Sequence, residues 1–160
     1  MSDAPQLRLS VRVLLLDEQD RLLLFRAEDA DTGNVFWFPT GGGLEDGEDV
    51  RAAAAREVAE ETGLTDLVLG PEVWRRRHVF SWRGVHLDQR ERWFMARVAH
   101  FGPDGAGMTE AEKTDLTAHR WWSLVEMDAA TDDLTPRDLA MRLRALLADG
   151  PPATPIDVGV

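Results

Sequence analysis

Three glutamates, Glu57, Glu60 and Glu61, follow a glycine run at residues 41–43 in the stretch "GGGLEDGEDVRAAAAREVAEETGL". Glycines ahead of a helix invite a phosphate, because the backbone N–H groups can approach it closely. Carboxylates repel one. A divalent cation between the two anions removes the conflict. At roughly 100° per residue, the three glutamates fall within an arc of about 100° on one helix face. Val50, Ala53, Ala54 and Leu64 lie over or beside the same side. An acidic stripe bordering the apolar one departs from the ordinary surface helix, whose charge sits opposite the core. Such close like charges destabilise one another unless a cation or a proton joins them. Hard oxygen ligands select Mg2+ or Mn2+ over zinc. The rival readings are a solvated acidic helix and a P-loop, but the P-loop needs Lys followed by Ser or Thr after its glycines, which this stretch lacks.

The spacing of the whole stretch weighs against the rivals. It reads Gly42, five residues, Glu48, seven residues, then Arg56-Glu57-Val58-Ala59-Glu60-Glu61-Thr62-Gly63-Leu64. At each constrained position this resembles the signature of the Nudix hydrolases. The flanking "WFPTGG" and "HRWWSL" are similar to the family too, so the likeness extends over most of residues 7–148. The resemblance implies an α/β (α+β) fold, a Nudix-type α/β/α sandwich with a mixed central sheet. It also implies an enzyme, a diphosphohydrolase that uses Mg2+ or Mn2+. Its reaction would be water attack at phosphorus in a nucleoside diphosphate linked to another moiety, or in a nucleoside triphosphate. By the same resemblance Glu57, Glu60 and Glu61 bind metal together with the carbonyl of Gly41. Arg56 orients a glutamate through a salt bridge, and Glu48 supports the loop. The alternative within the family is a non-catalytic nucleotide-sensing module, which commonly loses box glutamates or carries a DNA-binding domain; this chain keeps every box glutamate. A prenyl diphosphate isomerase of the same fold would want a cysteine, and there is none.

Outside the box the family often uses one more carboxylate, as metal ligand or general base. Glu110, Glu112 and Asp115 are candidates by position, with Glu110 preferred for catalysis beside Arg56, Glu57 and Glu60. Glu91 is a fourth candidate on a strand face with Leu87, Gln89 and Trp93. Arg26 and Arg76 are the candidate substrate-phosphate contacts, although cations on an edge strand also serve to protect it. Trp37 and Phe38 could stack on a base or belong to the core. The tyrosine mark of the dinucleoside polyphosphate subgroup is absent, and so is the proline expected near Val79 in many ADP-ribose enzymes. These residues name a reaction, not a molecule.

The elements that must position this chemistry follow from pattern. "LRLSVRVLLLD" and "RLLLFRA", split by "DEQD", predict a hairpin over 7–17 and 21–27. "VFWFP" predicts a short strand, residues 40–48 a loop, and 49–62 a helix stopped by Gly63. Strands follow near 67–82 and 85–99 around a tight "WRGV" turn, then a loop with a helical turn, then the strand "HRWWSL". Thr135 as cap and Pro136 at the first position open a last helix running to about Asp149. The 160 residues fit a single domain with its core over about 7–148 and a mobile tail at 150–160. Eighteen Lys plus Arg against 29 Asp plus Glu give net charge −11, which argues against non-specific nucleic-acid binding. The expected partner is a small phosphorylated, nucleotide-type substrate, with no nucleic acid and no membrane; a homodimer is left open. Absence of cysteine excludes disulfides, thiolate zinc sites and thiol nucleophiles. With neither a signal-like start nor a bilayer-length apolar run, a cytoplasmic location is expected.

Overall fold

Strand β1 (Gln6–Leu16) is apolar on both faces from Val13 to Leu16 because both faces are covered. In the computed structural model, which describes residues 4–159 without the side chains of Thr114, Asp115 and Thr117, it is the central strand of a mixed sheet. Leu14 and Leu16 point into one core, and Val11, Val13 and Leu15 into the other. Its hairpin partner β2 (Leu22–Glu28) continues the sheet to β3 (Val35–Phe38) and the two-residue β8 (Asp133–Leu134). On the other side β6 (Val85–Arg97) runs parallel to β1 along its whole length, followed by β5 (Glu72–Trp82). β7 (Leu116–Trp122) pairs with β2, and β4 (Thr40–Gly43) pairs antiparallel with the first half of β1. β1 therefore meets β4 near its start and β2 at its end.

Helix α1 (Val50–Thr62) covers one face. The Asp49 side chain accepts from the Arg51 and Ala52 amides at its start, and left-handed Gly63 (φ 80°) ends it with a bond to the Ala59 carbonyl. Ala53, Ala54 and Val58 let it lie close against Val11, Val13 and Phe94. Between β6 and β7 lie a 3-10 turn at Gly105–Gly107 and α2 (Glu110–Asp115). The other face is covered by α3 (Leu124–Asp128) and α4 (Leu139–Asp149), with Met127, Leu139, Leu143 and Leu146 packed on Trp37, Trp74, Trp93 and Trp122. Arg83 and Gly84, both at positive φ (50° and 78°), close the β5–β6 hairpin as the "WRGV" turn predicts.

Three expectations differ from the fold. The glycines of residues 40–48 are not all loop, since Thr40–Gly43 form β4. A Cβ on Gly41 would lie 2.0 Å from the Val11 carbonyl oxygen, so only glycine lets this strand approach β1. The last helix begins at Leu139 rather than Pro136. Leu134 pairs beside Trp37, and the Thr135 amide donates to the Trp37 carbonyl at 3.0 Å, which draws this segment into the sheet. Asp138 takes the N-cap position without a capping bond, its carboxylate accepting from Arg142 at 2.9 Å. The tail expected to be mobile instead adds β9 (Ile156–Val158), parallel to Trp74–Arg76 of β5. Its anchor is Val158, buried in the core under α4. Among the described residues no helix is long and apolar enough to cross a membrane.

Candidate active site

Arg56 organises the acidic face of α1. It grips Glu48 with two bonds, Nε to Oε2 at 2.8 Å and Nη2 to Oε1 at 2.9 Å, and Nη2 also donates to the Gly43 carbonyl at 3.1 Å. Its Nη1 reaches Glu57 Oε1 at 3.1 Å and Glu60 Oε1 at 3.3 Å. One guanidinium thus ties the glycine strand, the loop and the helix together, as its planar donor fork permits. The Arg56 bonds, aided by the Glu45 amide, pull the Glu48 carboxyl down to about 2.

Glu57 is buried against the glycines; a Cβ on Gly42 would stand 2.5 Å from its Oε1. Burial pushes its carboxyl above the ordinary value, and Glu112 and Glu60 push the same way against the pull of Arg56. Glu57, Glu60 and Glu112 each present an oxygen within 4.8 Å of the others. This is a set of hard donors of the kind that holds a divalent cation.

Glu112, not Glu110, joins the two box glutamates. Glu110 is the exposed first residue of α2, 3.7 Å from Lys113. Glu112 is two residues on and is fixed by a capping box: the Thr109 amide donates to its Oε1 at 3.0 Å and its own amide donates to the Thr109 hydroxyl. The side chain of Asp115 lies outside the described residues.

Glu61 stands apart from the cluster. It is fully buried, and its Oε1 accepts from Thr40 Oγ1 at 3.0 Å and from the Gly41 amide at 2.8 Å. Burial pushes its carboxyl up to about 8, outweighing the Gly41 amide and the Arg12 charge. Its contacts make it a brace for β4, which is where the last turn of α1 directs it; the expected grouping with Glu57 and Glu60 as one ligand set is not what the geometry brings together.

A cavity of about 660 Å³ opens from this cluster across the sheet. Gly41, Gly42 and Gly43 line it with the glutamates, Arg8 and Arg12 line it too, and Phe36, Phe80 and Trp82 give it an aromatic wall. Phe36 and Trp82 meet edge to face at 5.8 Å. Arg76, expected at a substrate phosphate, lines the cavity but is buried, with Nη1 on Glu91 at 3.0 Å and Nε on the Gly159 carbonyl at 3.2 Å. Arg26 does not line it; its neighbour Ala27 does, and alternation along β2 turns Arg26 to the other face. Glu91 is buried in an arginine network. Trp37 belongs to the core, while Phe38 lies beneath Arg12 with 4.9 Å between guanidinium and ring centre.

Two signals were present in the chain, one favouring Glu112 over Glu110 and one for the arginines of β1, which the motif reading did not single out. "TEAE" at 109–112 is a capping box that fixes its last residue. "RLSVR" places Arg8, Ser10 and Arg12 on one face of an otherwise apolar strand.

Comparison with known proteins identifies the family. Residues 6–143 match the family model described as NUDIX domain. An RNA pyrophosphohydrolase of Caulobacter vibrioides is 36% identical over 138 residues, covering 78% of this chain and 76% of that one. An RNA pyrophosphohydrolase of Novosphingobium aromaticivorans is 32% identical over 136 residues, covering 79% and 81%. The crystal structure of the MutT protein from Methanosarcina mazei Go1 shares the fold, with TM-score 0.68 at 21% identity over 89% of this chain and 96% of that one. The chain belongs to the Nudix hydrolase family.

Proposed function

We propose that the chain hydrolyses a diphosphate bond in a nucleotide-type substrate with Mg2+ or Mn2+. The observation that carries this reading is the convergence of Glu57, Glu60 and Glu112 at the glycine end of the cavity. Glu57 and Glu60 would hold the cation, with Glu112 facing it from α2 and Glu61 bracing the Gly41 backbone beside them. When bound, the cation would neutralise phosphate oxygens and acidify a water. Arg56 keeps Glu57 and Glu60 in place before substrate arrives, so little reorganisation remains for the reacting state. The water oxygen forms a new bond to phosphorus as the bridging P–O bond breaks, and the bond electrons leave with the departing phosphate. Glu112, carried by α2 rather than α1, is the carboxylate assigned to the water's proton. The aromatic wall of Phe36, Phe80 and Trp82 offers a surface on which a base stacks.

The substrate class is narrowed by chemistry. The relatives named above are RNA pyrophosphohydrolases. RNA is joined internally by phosphodiesters, so a pyrophosphate bond on it exists only at an end. Net charge −11 argues against tracking a polyanion, but an end needs only the cleft. The expectation of no nucleic-acid partner is therefore restricted: a phosphorylated RNA end stands beside free nucleoside triphosphates and diphosphate-linked nucleosides as a candidate. The test incubates purified protein with each class, including a 5′-triphosphorylated oligoribonucleotide, with Mg2+ or Mn2+, and measures phosphate and pyrophosphate released. Turnover of any class supports the proposal. Nucleotide binding without turnover in every class would favour a sensing module.

A further inference from the structure

The floor of the cavity carries a polar ladder that the hydrolytic chemistry above does not use. Arg8, Ser10 and Arg12 share one face of β1. In the parallel register of β6 they stand beside Gln89, Glu91 and Trp93. Across β6, Arg76 and His78 of β5 oppose Glu91 and Gln89.

Glu91 is the anchor of this ladder, 3% exposed. Its Oε1 accepts from Arg76 Nη1 at 3.0 Å and from Trp93 Nε1 at 3.1 Å. Its Oε2 accepts from Gln89 Nε2 and faces Arg12 Nε at 3.6 Å. Both oxygens are engaged, which leaves a poor site for a proton from water. Burial pushes this carboxyl up, but the Arg12 and Arg76 charges outweigh it and hold it below the ordinary value. Glu91 is a fixed anion rather than a base.

Three guanidinium groups, Arg8, Arg12 and Arg76, surround this one carboxylate. Arg76 is buried and turned to Glu91 and the Gly159 carbonyl. Arg12 is pinned on three sides: by Glu91, by the Phe38 ring beneath it, and by the Pro39 carbonyl, to which Nη1 donates at 3.3 Å. Arg8 donates from Nη1 to Gln89 Oε1 at 3.1 Å. Burial and the Arg12 charge hold the Arg8 guanidinium below its ordinary value, as expected of a cation pair favouring an anion between them. The Ser10 hydroxyl between them is buried with no hydrogen-bond partner among the described residues. Arg8 and Arg12 both line the cavity: Arg8 Nε lies beside the glycine strand, 3.2 Å from where a Cβ on Gly43 would stand, and Arg12 lies over Phe38, whose ring centre is 5.6 Å from that of Phe36 in the aromatic wall. A phosphate joining a reacting diphosphate to a stacked base would occupy this stretch.

We propose that Arg8 and Arg12 form a subsite for the phosphate group that is retained on the substrate, and that Glu91 is the positioning residue that holds Arg12 in it. This rests on the reading of the substrate as a phosphorylated nucleotide. Two planar forks would meet that phosphate with paired N–H donors, a geometry that lysine does not offer.

The test uses the whole chain and inorganic pyrophosphate as probe. Calorimetry with chelator present isolates the arginines from any metal. Wild type and Arg90→Ala, altered on the opposite sheet face, should bind pyrophosphate alike. Arg8→Ala and Arg12→Ala should each weaken it at least about tenfold, and Arg12→Lys should restore it only in part. Mn2+ affinity, read separately, should be unchanged in all of them. With a hydrolysed substrate, Glu91→Gln should raise KM and leave kcat and its pH profile nearly in place, the pattern of lost positioning. A general base at Glu91 would instead lower kcat and remove a limb of the profile, which would overturn its assignment. Should Glu91→Gln fail to fold, Arg12→Lys carries the test alone. Pyrophosphate affinity equal to wild type in both alanine variants would overturn the subsite even if hydrolysis proceeds. Arginine-dependent binding in a protein that turns nothing over would sustain the subsite and sink the hydrolase reading.

Discussion

Replacing Gly42 by alanine adds a single methyl group at the tightest point of the candidate site. Its Cβ would lie 2.5, 2.6 and 2.7 Å from Oε1, Cδ and Oε2 of Glu57, where ordinary contact begins at 3.4 Å, so the carboxylate must retreat by about 0.9 Å. Gly42 is not among the glycines at positive φ, so the backbone accepts alanine without strain. The burden falls on Glu57, which is tethered to Arg56 on one side and grouped with Glu60 and Glu112 on the other. A shift of about 1 Å in a positioned group costs on the order of 10²-fold in rate, or about 2.7 kcal/mol of transition-state stabilisation. Stability should change far less, because burial disfavours the Glu57 charge where it now sits. The expected outcome is a kcat lowered about a hundredfold, weaker Mn2+ binding by calorimetry, and a Tm within a few degrees of wild type. Wild-type turnover together with wild-type Mn2+ affinity would refute the placement of Glu57 at the reacting centre. A collapse in Tm would show that Gly42 serves packing first.

Chelator should abolish turnover and Mg2+ or Mn2+ should restore it; at a hundred times its Kd the cation should also stabilise the fold by about 2.7 kcal/mol, read as a rise in Tm. Glu112→Gln should lower kcat at least about tenfold while Glu110→Gln is nearly silent, and equal effects would dissolve the distinction drawn from the geometry of α2. Glu72, gripped by Arg92 and Arg75, has its carboxyl drawn down to about 2. A depressed carboxylate stabilises the fold fully above its unfolded value and loses that contribution as pH falls toward 2. Glu72→Gln should therefore cost on the order of 1–2 kcal/mol at pH 7, a figure reduced for the half-exposed arginines. In urea melts against pH the gap to wild type should close on acidification; a constant gap would assign the effect to packing.

Helix α1 was legible because its information is local: Asp49 caps it, Gly63 stops it, and the alanines mark the packed side. β4 was not, since a glycine run has no alternation to read, and it becomes a strand only through its approach to β1. β9 is three residues long, too short for a period, and exists because β5 offers it a free edge and the core takes up Val158. In the site, spacing on one helix placed Glu57 and Glu60, but Glu112 comes from another element through a capping box that was present and unused. Arg12 and Glu91 acquire meaning together only in the β1–β6 register, and no local pattern encodes that pairing.

Two backbone ladders meet on β1, which sets Gly41 opposite Arg12 on one side and Glu91 beside Ser10 on the other. The span from glutamates to arginines is thus counted out in main-chain rungs of roughly 4.8 Å. The aromatic wall hangs elsewhere, on β3 and near the tip of the β5–β6 hairpin. Changes at Phe36, Phe80 or Trp82 leave those rungs untouched. Descendants of such a chain can exchange one clientele of molecules for another without relearning the reaction, and a laboratory library aimed at new substrates would best be confined to that wall.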